Sequence, residues 1–167
     1  MFVKAFITGA FACLFLLGAA PAQTEADSEP LIILKPVPPI VRLVEENELV
    51  ADVNRYRITQ GVATVSVDEL LTRAALLHAR DMVHRKFFGH TSPDGQSLPD
   101  RLNLVGFHWT VASENIAFDE DVRHANAALL ESAPHRANIS DPRVQKIGVA
   151  ALGVGVDAVL YVEVFAV

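Results

Sequence analysis

The end of the chain constrains its fold more than any other part. Two apolar, strand-prone runs, Lys146–Leu152 and Ala158–Val167, are separated by the sequence GVGVD at residues 153–157. This pattern predicts an antiparallel β-hairpin. The segments before it repeat apolar residues at helical spacing. Helices followed by strands predict an α+β fold in which helices cover a small antiparallel sheet.

Four helices are predicted ahead of the hairpin. Ser66 and Glu69 have the S-x-x-E spacing of a capping box, which predicts the start of the second helix. Pro134 disfavours helical geometry at Ala133, so the fourth helix is expected to stop there. The four predicted helices are Ile40–Ile58, Ser66 to about Lys86, Leu98–Leu104 and Asp119–Ser132.

The residues before Ile40 are expected to lie outside the folded domain. Lys4 is followed by an uncharged apolar stretch, and Ala20-Pro21-Ala22 has the small–x–small pattern of a signal-peptidase site. The apolar stretch is shorter than the ~20 residues that span a bilayer. We therefore predict a cleaved signal peptide at residues 1–22, a proline-rich linker at 23–39 and a folded domain at 40–167.

Charge and cysteine content exclude several classes of protein. The chain has 14 Lys and Arg against 20 Asp and Glu, a net charge of −6, so nucleic-acid binding has no electrostatic support. The single cysteine, Cys13, lies in the predicted signal peptide, which excludes an internal disulfide and a cysteine-ligated zinc site. After signal removal we expect a secreted or periplasmic protein with no membrane span, stabilised by a packed core.

Two of the six histidines lie in contexts typical of functional loops. His90 lies in the loop sequence FFGHTSPDGQ at residues 87–96, and His135 follows a proline at a predicted helix end. Glu114 lies in a predicted extended segment at Ser113–Phe118. No local spacing such as HExxH links these residues, so the pattern leaves two alternatives open: a shared site, or ordinary surface and capping residues.

The other four histidines have less distinctive contexts. His78 lies on or beside the apolar stripe of the second predicted helix and is expected to pack against the first helix, as is Asp81. His84, His108 and His124 are expected to be exposed to solvent.

Motifs that follow one another along the chain resemble those of a known family. The motifs are Asn54–Arg57, Ala74–Met82, Phe88–Gly95, Arg101, Gly106, Glu114–Ala117, Ser132, His135–Ile139, Ile147–Val149 and Tyr161–Phe165. As an ordered set they resemble the CAP superfamily (cysteine-rich secretory proteins, antigen 5 and pathogenesis-related proteins) in its bacterial SCP-like branch. The resemblance covers about residues 41–167.

The resemblance implies an α-β-α sandwich with a central antiparallel sheet and a surface cleft lined by histidines and acidic residues. By motif, His90 and His135 match the two cleft histidines, and Glu114 matches the first cleft glutamate. Ser132 stands where other members have a second glutamate, and Leu129 stands where many have tryptophan. The cleft residues implied for this chain are therefore His90, Glu114, Ser132 and His135.

Metal has been seen in the cleft of relatives, so the resemblance implies competence for zinc or another divalent ion. His90 and His135 are the implied metal ligands, with Glu114 as a further candidate because two imidazoles and a carboxylate suit zinc. Asn115 and Asn138 are expected to hold the loops beside this site.

Three functions remain open for such a cleft. The favoured one is binding of a small amphipathic molecule, a lipid or a cell-surface component. The second is a metal-dependent hydrolase that uses His90, Glu114 and His135. The third is a hydrogen-bond network that holds loops together without any ligand. Arg136 is expected to anchor a carboxylate or a carbonyl rather than to contact a substrate.

Overall fold

The computed structural model describes residues 40–167, and the predicted signal peptide and linker lie outside the described residues. The strands are β1 (Ile40–Val41), β2 (Ser66–Val67), β3 (Ala112–Asp119), β4 (Lys146–Gly153) and β5 (Val159–Ala166). The helices are α1 (Leu43–Thr59), α2 (Glu69–Arg85), α3 (Leu98–Val105), α4 (Val122–Glu131) and α5 (Ala133–Ser140). Within this described range, every helix is too short or too polar to cross a membrane.

The five strands form one sheet. Four of them follow the order β1-β4-β5-β3, and β2 pairs with the first two residues of β4. The predicted hairpin is confirmed, since β4 and β5 pair antiparallel from Lys146 opposite Ala166 to Gly153 opposite Val159. β3 pairs antiparallel with the other edge of β5 over its whole length. β2 is parallel to β4, whereas the other pairings are antiparallel. The two long neighbours of β5 leave it buried at every residue.

Helices cover both faces of this sheet. One core contains side chains of α2 and α3, and on β5 it includes Val162 and Val164. The other core contains side chains of α1, α4 and α5, and on β5 it includes Tyr161 and Phe165. Alternate residues of a strand point to opposite faces, which accounts for this division. The predicted α-β-α sandwich is therefore confirmed.

Helix α2 lies unusually close to the sheet at Gly148. A Cβ atom at this position would lie 2.0 Å from the backbone carbonyl carbon of Leu71 and 2.1 Å from the backbone nitrogen of Thr72. Only a residue without a side chain allows this approach. The contact fixes the place of α2, which carries His78 towards the site described below.

The predicted starts of the first two helices are wrong by three residues each. Ile40–Val41 forms a strand that pairs with the end of β4, and α1 begins only at Leu43. Ser66–Val67 pairs with β4 and is not a helix cap. Asp68 caps α2 instead, since its side chain accepts the backbone N–H groups of the first turn.

The region after β3 contains two helices where one was predicted. The predicted helix over Asp119–Ser132 is shorter, because Asp119 still belongs to β3 and Asp121 is the N-cap of α4. It stops before Pro134, as expected, but α5 begins at once after Ser132. Proline suits the first turn of a helix, because its missing N–H would have no intrahelical partner there.

Candidate functional site

A buried ion pair between Glu114 and Arg101 forms the centre of the candidate site. Glu114 lies on β3 with its side chain 3% exposed, and Arg101 lies on α3 with its side chain 1% exposed. Nη2 of Arg101 is 2.9 Å from Oε2 and 3.1 Å from Oε1 of Glu114. The same nitrogen donates to the carbonyl oxygen of His90 at 3.1 Å. Arg101 therefore holds both the carboxylate and the loop that carries His90, a role that its place in a motif did not reveal.

His90 uses one ring nitrogen to contact this carboxylate. Its Nδ1 is 3.0 Å from Oε1 of Glu114, while its side chain is 56% exposed. A carboxylate accepts hydrogen bonds, so Nδ1 of His90 donates, and in the neutral form of the ring Nε2 is the nitrogen with the lone pair. This arrangement fixes both the orientation and the tautomer of His90.

His78 lies fully buried behind the same carboxylate. Its Nε2 is 2.9 Å from the carbonyl oxygen of Gly89 and 3.7 Å from Oε1 of Glu114. Burial lowers the pKa of His78 and outweighs the opposite effect of Glu114, so the ring is neutral at neutral pH. Asp81, one turn further along α2, accepts a 2.7 Å hydrogen bond from Oγ of Ser92.

These contacts overturn the expectation that His78 and Asp81 pack against the first helix. Both residues instead fasten the loop at residues 87–96 to α2. The position of His78 on the apolar stripe indicated its burial, but the partner it meets depends on the folding of the chain.

His135 lies in the first turn of α5 and is half-buried. Burial lowers the pKa of His135, and a positive charge on His90 lowers it further. Among residues 40–167, no hydrogen bond joins the His135 ring to His90 or Glu114. Nor do the three side chains bring three ligand atoms within 4.8 Å of one another in this range.

Two asparagines tie α5 to β3 beside Glu114. Nδ2 of Asn115 donates to the carbonyl oxygen of His135 at 3.2 Å. Nδ2 of Asn138 donates to Oδ1 of Asn115 at 2.8 Å and to the carbonyl oxygen of Glu114 at 3.4 Å. The two histidines are therefore carried by segments that are both anchored at the same end of β3.

Ser132 and Arg136 lie at the junction of α4 and α5. Ser132 is half-buried, and its backbone carbonyl accepts from the N–H of Arg136. Nη1 of Arg136 donates to the carbonyl oxygens of Leu130 at 2.6 Å and Glu131 at 3.1 Å. These carbonyls end α4 and have no intrahelical partner, so Arg136 stabilises the junction.

A cavity of about 320 Å³ opens beside His90. Its lining combines one apolar side chain with hydroxyl groups, the imidazole and the carboxylate. The lining residues are His90, Thr91, Ser97, Leu98 and Glu114. Ser132 and His135 are not among them. A larger groove of about 650 Å³ lies between the N-terminal ends of α1 and α4 and contains none of the cleft residues implied by the motifs.

A second group of ligand-type side chains lies at the start of α4. Glu120, Asp121 and His124 bring their ligand atoms within 4.8 Å of one another. Nδ1 of His124 is 3.0 Å from Oδ2 of Asp121, and this bond raises the pKa of His124. The group is exposed and Asp121 already caps α4, but any measurement of metal binding has to take it into account.

An α-β-α sandwich with an imidazole–carboxylate pair beside a surface cleft is the architecture that the motifs implied for an SCP-type domain. Residues 50–165 match the model of the cysteine-rich secretory protein (CAP) family. The chain therefore belongs to the CAP family, and the resemblance drawn from its motifs is confirmed.

The most informative similar proteins are bacterial. Uncharacterized protein YkwD of Bacillus subtilis is 32% identical over 105 residues, which are 62% of this chain and 41% of YkwD. An extracellular SCP-domain protein from Bacillus anthracis has a TM-score of 0.67 and 26% identity, over 74% of this chain and 40% of that protein. The chain thus spans about two fifths of the length of each.

The structure of NaASP2 with Zn²⁺ shares the fold, with a TM-score of 0.55 and 12% identity, over 75% of this chain and 80% of NaASP2.

Proposed function

We propose that this CAP domain is an exported binding module whose cleft takes a small amphipathic ligand, such as a lipid or another cell-envelope component, at His90. The orientation of His90 carries this proposal, because a half-exposed imidazole with a fixed tautomer presents Nε2 to any bound molecule. Export is supported by the signal-peptide pattern at residues 1–22 and by the extracellular relative from Bacillus anthracis.

The cavity supports a small ligand with polar and apolar parts. Its volume of about 320 Å³ is at the lower end of the range usual for small-molecule sites. Leu98 offers an apolar surface, while Thr91 and Ser97 offer hydroxyl groups. Glu114 already has Arg101 as its charge partner, so the cavity does not call for a strongly charged ligand.

We further propose that the cleft binds a divalent ion such as zinc through His90 and His135. Both rings can act as neutral ligands, and the carboxylate bonded to Nδ1 of His90 is the usual outer partner of a metal-binding imidazole. Glu114 serves better in this outer role than as a ligand, because its side chain is buried and paired with Arg101. Such an ion supplies a Lewis acid to which a ligand oxygen can bind.

The geometry favours binding over hydrolysis. A hydrolase at this site needs a free base within hydrogen-bond reach of the attacking water. Glu114 is the carboxylate that contacts His90, but its charge is already paired with Arg101, so it is not a free base. The third alternative, a hydrogen-bond network, accounts for the buried groups Glu114, Arg101 and His78. That network supports the binding proposal because it fixes His90 in place.

Zinc titration of the full chain tests the metal proposal. The variant His124→Ala removes the exposed group at α4 and serves as the background. In this background we expect a single zinc site by calorimetry at neutral pH, and at least a roughly tenfold loss of affinity on adding His90→Ala or His135→Ala. His84→Ala, at an exposed site on α2, is the matched control and should change nothing. Unchanged affinity in the His90 variant would rule out the site.

Native mass spectrometry of the exported protein tests the ligand proposal. We expect a bound small molecule on the wild-type chain and little or none on Thr91→Trp, because a large side chain at this exposed position fills the cavity mouth. Thr64→Trp, at an exposed position outside the cavity lining, should retain the molecule. Equal occupancy in the two variants would place the ligand elsewhere.

A further inference from the structure

Glu163 is a fully buried carboxyl group in the middle of the central strand. Glu163 lies on β5, opposite Asn115 on one neighbouring strand, β3, and opposite Val149 on the other, β4. Oε2 of Glu163 accepts from Nδ2 of Asn115 at 2.9 Å, and Oε1 has no hydrogen-bond partner among the described residues. Acidic side chains are rarely buried without a cationic partner, because the charged form is costly away from water.

The amide of Asn115 joins this carboxyl to helix α5. The same Nδ2 donates to the carbonyl oxygen of His135 at 3.2 Å, and Oδ1 accepts from Asn138 at 2.8 Å. The other end of α5 has a separate anchor, since Nη1 of Arg57 donates to the carbonyl oxygen of Ile139 at 2.7 Å. Arg136 ties the first half of α5 to the end of α4, and Asn115 ties it to the sheet, where Asn115 also contacts Glu163.

We propose that Glu163 is a positioning residue for His135, and that ionisation of its buried carboxyl shifts the first half of α5 from the form docked on the sheet towards an open form. This proposal rests on the proposed function only in so far as His135 is a ligand of the proposed metal site. The docking itself is a property of the fold and can be measured without any ligand.

The surroundings of Glu163 offer no compensating charge. The elements of this face carry many titratable or charged groups: Glu45, Glu46, Glu48, Asp52, Arg55, Tyr56 and Arg57 on α1, Glu114 and Asp119 on β3, Lys146 on β4, Tyr161 on β5, Arg123, His124 and Glu131 on α4, and His135 and Arg136 on α5. Among the described residues none of them pairs with Glu163, and the buried face of α4 is apolar. Burial raises the pKa of Glu163 to about 7, and the bond from Asn115 opposes this only in part.

The direction of the pH effect follows from linkage. Glu163 binds its proton more tightly when α5 is docked than when α5 is open and the carboxyl meets water, where the ordinary pKa is 4.5. The open form therefore binds fewer protons, and a rise in pH favours it. Opening should increase by up to about tenfold per pH unit between roughly pH 4.5 and 7, and should level off above pH 7.

Hydrogen exchange of the full chain over pH 5 to 8 tests this proposal. After correction for the intrinsic pH dependence of exchange, opening of the α5 amides should rise with pH to about 7 and then level off. Glu163→Gln keeps the size and the acceptor for Asn115 but cannot ionise, so its α5 profile should be flat. Glu48→Gln, at an exposed carboxyl on α1, is the control and should keep the wild-type profile.

Amides of α2 serve as the internal reference for global unfolding. A flat wild-type profile for α5, or an identical rise in α2 and α5, would overturn the proposal, because the carboxyl would then act on no part of the fold in particular. Should Glu163→Gln fail to fold, carbon-13 NMR of the wild-type Glu163 carboxyl decides: titration near pH 7 supports the proposal, and titration near 4.5 refutes it. Neither measurement involves zinc or a cleft ligand, so failure of the proposed function leaves this result unchanged.

Discussion

Replacing Gly148 with alanine is expected to lower the free energy of unfolding by about 3 kcal/mol or more. The new methyl group would lie 2.0 Å from the backbone of Leu71, so the whole of α2 would have to move away from β4. The backbone of α2 cannot rotate out of the way as the end of a flexible side chain can. Moving α2 would also disturb one of the two cores, because α2 contributes many of its side chains. Urea unfolding followed by circular dichroism measures the change.

Gly89→Ala is the matched control for this substitution. A Cβ atom at Gly89 meets nothing within 4 Å, and Gly89 does not have a positive φ. Its effect should stay within about 0.5 kcal/mol. Equal urea midpoints for the two variants would show that the close approach of α2 to the sheet is not a property of the folded chain.

Arg101→Met is expected to destabilise the chain by about 3–5 kcal/mol, because it leaves the carboxylate of Glu114 buried without its charge partner. The double variant Arg101→Met with Glu114→Leu removes both charges and should recover much of this loss. His90→Ala should have a far smaller effect, since that side chain is more than half exposed. Urea unfolding of the three variants at neutral pH gives the comparison.

Comparison of Arg101→Met with the double variant shows whether the loss of stability comes from the unpaired charge of Glu114. A loss below about 1 kcal/mol for Arg101→Met would mean that water reaches Glu114 and that the pair is not buried. A double variant no more stable than the single one would mean that Arg101 acts mainly through its bonds to the loop carbonyls. Either result would contradict the buried ion pair as the main support of His90.

The three long strands could be predicted from the sequence more closely than the helix boundaries, whereas the short strands β1 and β2 lie where helices were predicted to begin. The hairpin of β4 and β5 came within a residue or two of its observed bounds, because a short apolar run on either side of a glycine turn has few alternatives. The S-x-x-E spacing predicts Ser66 as the cap of α2, but Asp68 offers the same chemistry two residues later and is the residue that caps the helix. Helix α5 was missed because Pro134 indicates the end of one helix and the start of the next equally well.

Less of the candidate site than of the fold could be predicted from the sequence. The motifs singled out His90 and Glu114, which the structure joins directly, but nothing in their spacing indicated which atoms would meet. The partners of the carboxylate come from α2 and α3, and their meeting depends on how these helices pack. Glu163 stood in a motif as one residue of a strand, and its isolation became visible only with its neighbours in place.

The two hydrogen bonds that hold the loop at residues 87–96 affect how a ligand would bind in the cleft. His78 is hydrogen-bonded to Gly89 and Asp81 to Ser92, so α2 holds the loop in place on both sides of His90. A recognition surface built in advance loses little conformational freedom when it is occupied. Fragments soaked into crystals of the protein would therefore meet nearly the same surface that any ligand of the cleft would meet, so such a screen tests directly which chemical groups the cleft accepts.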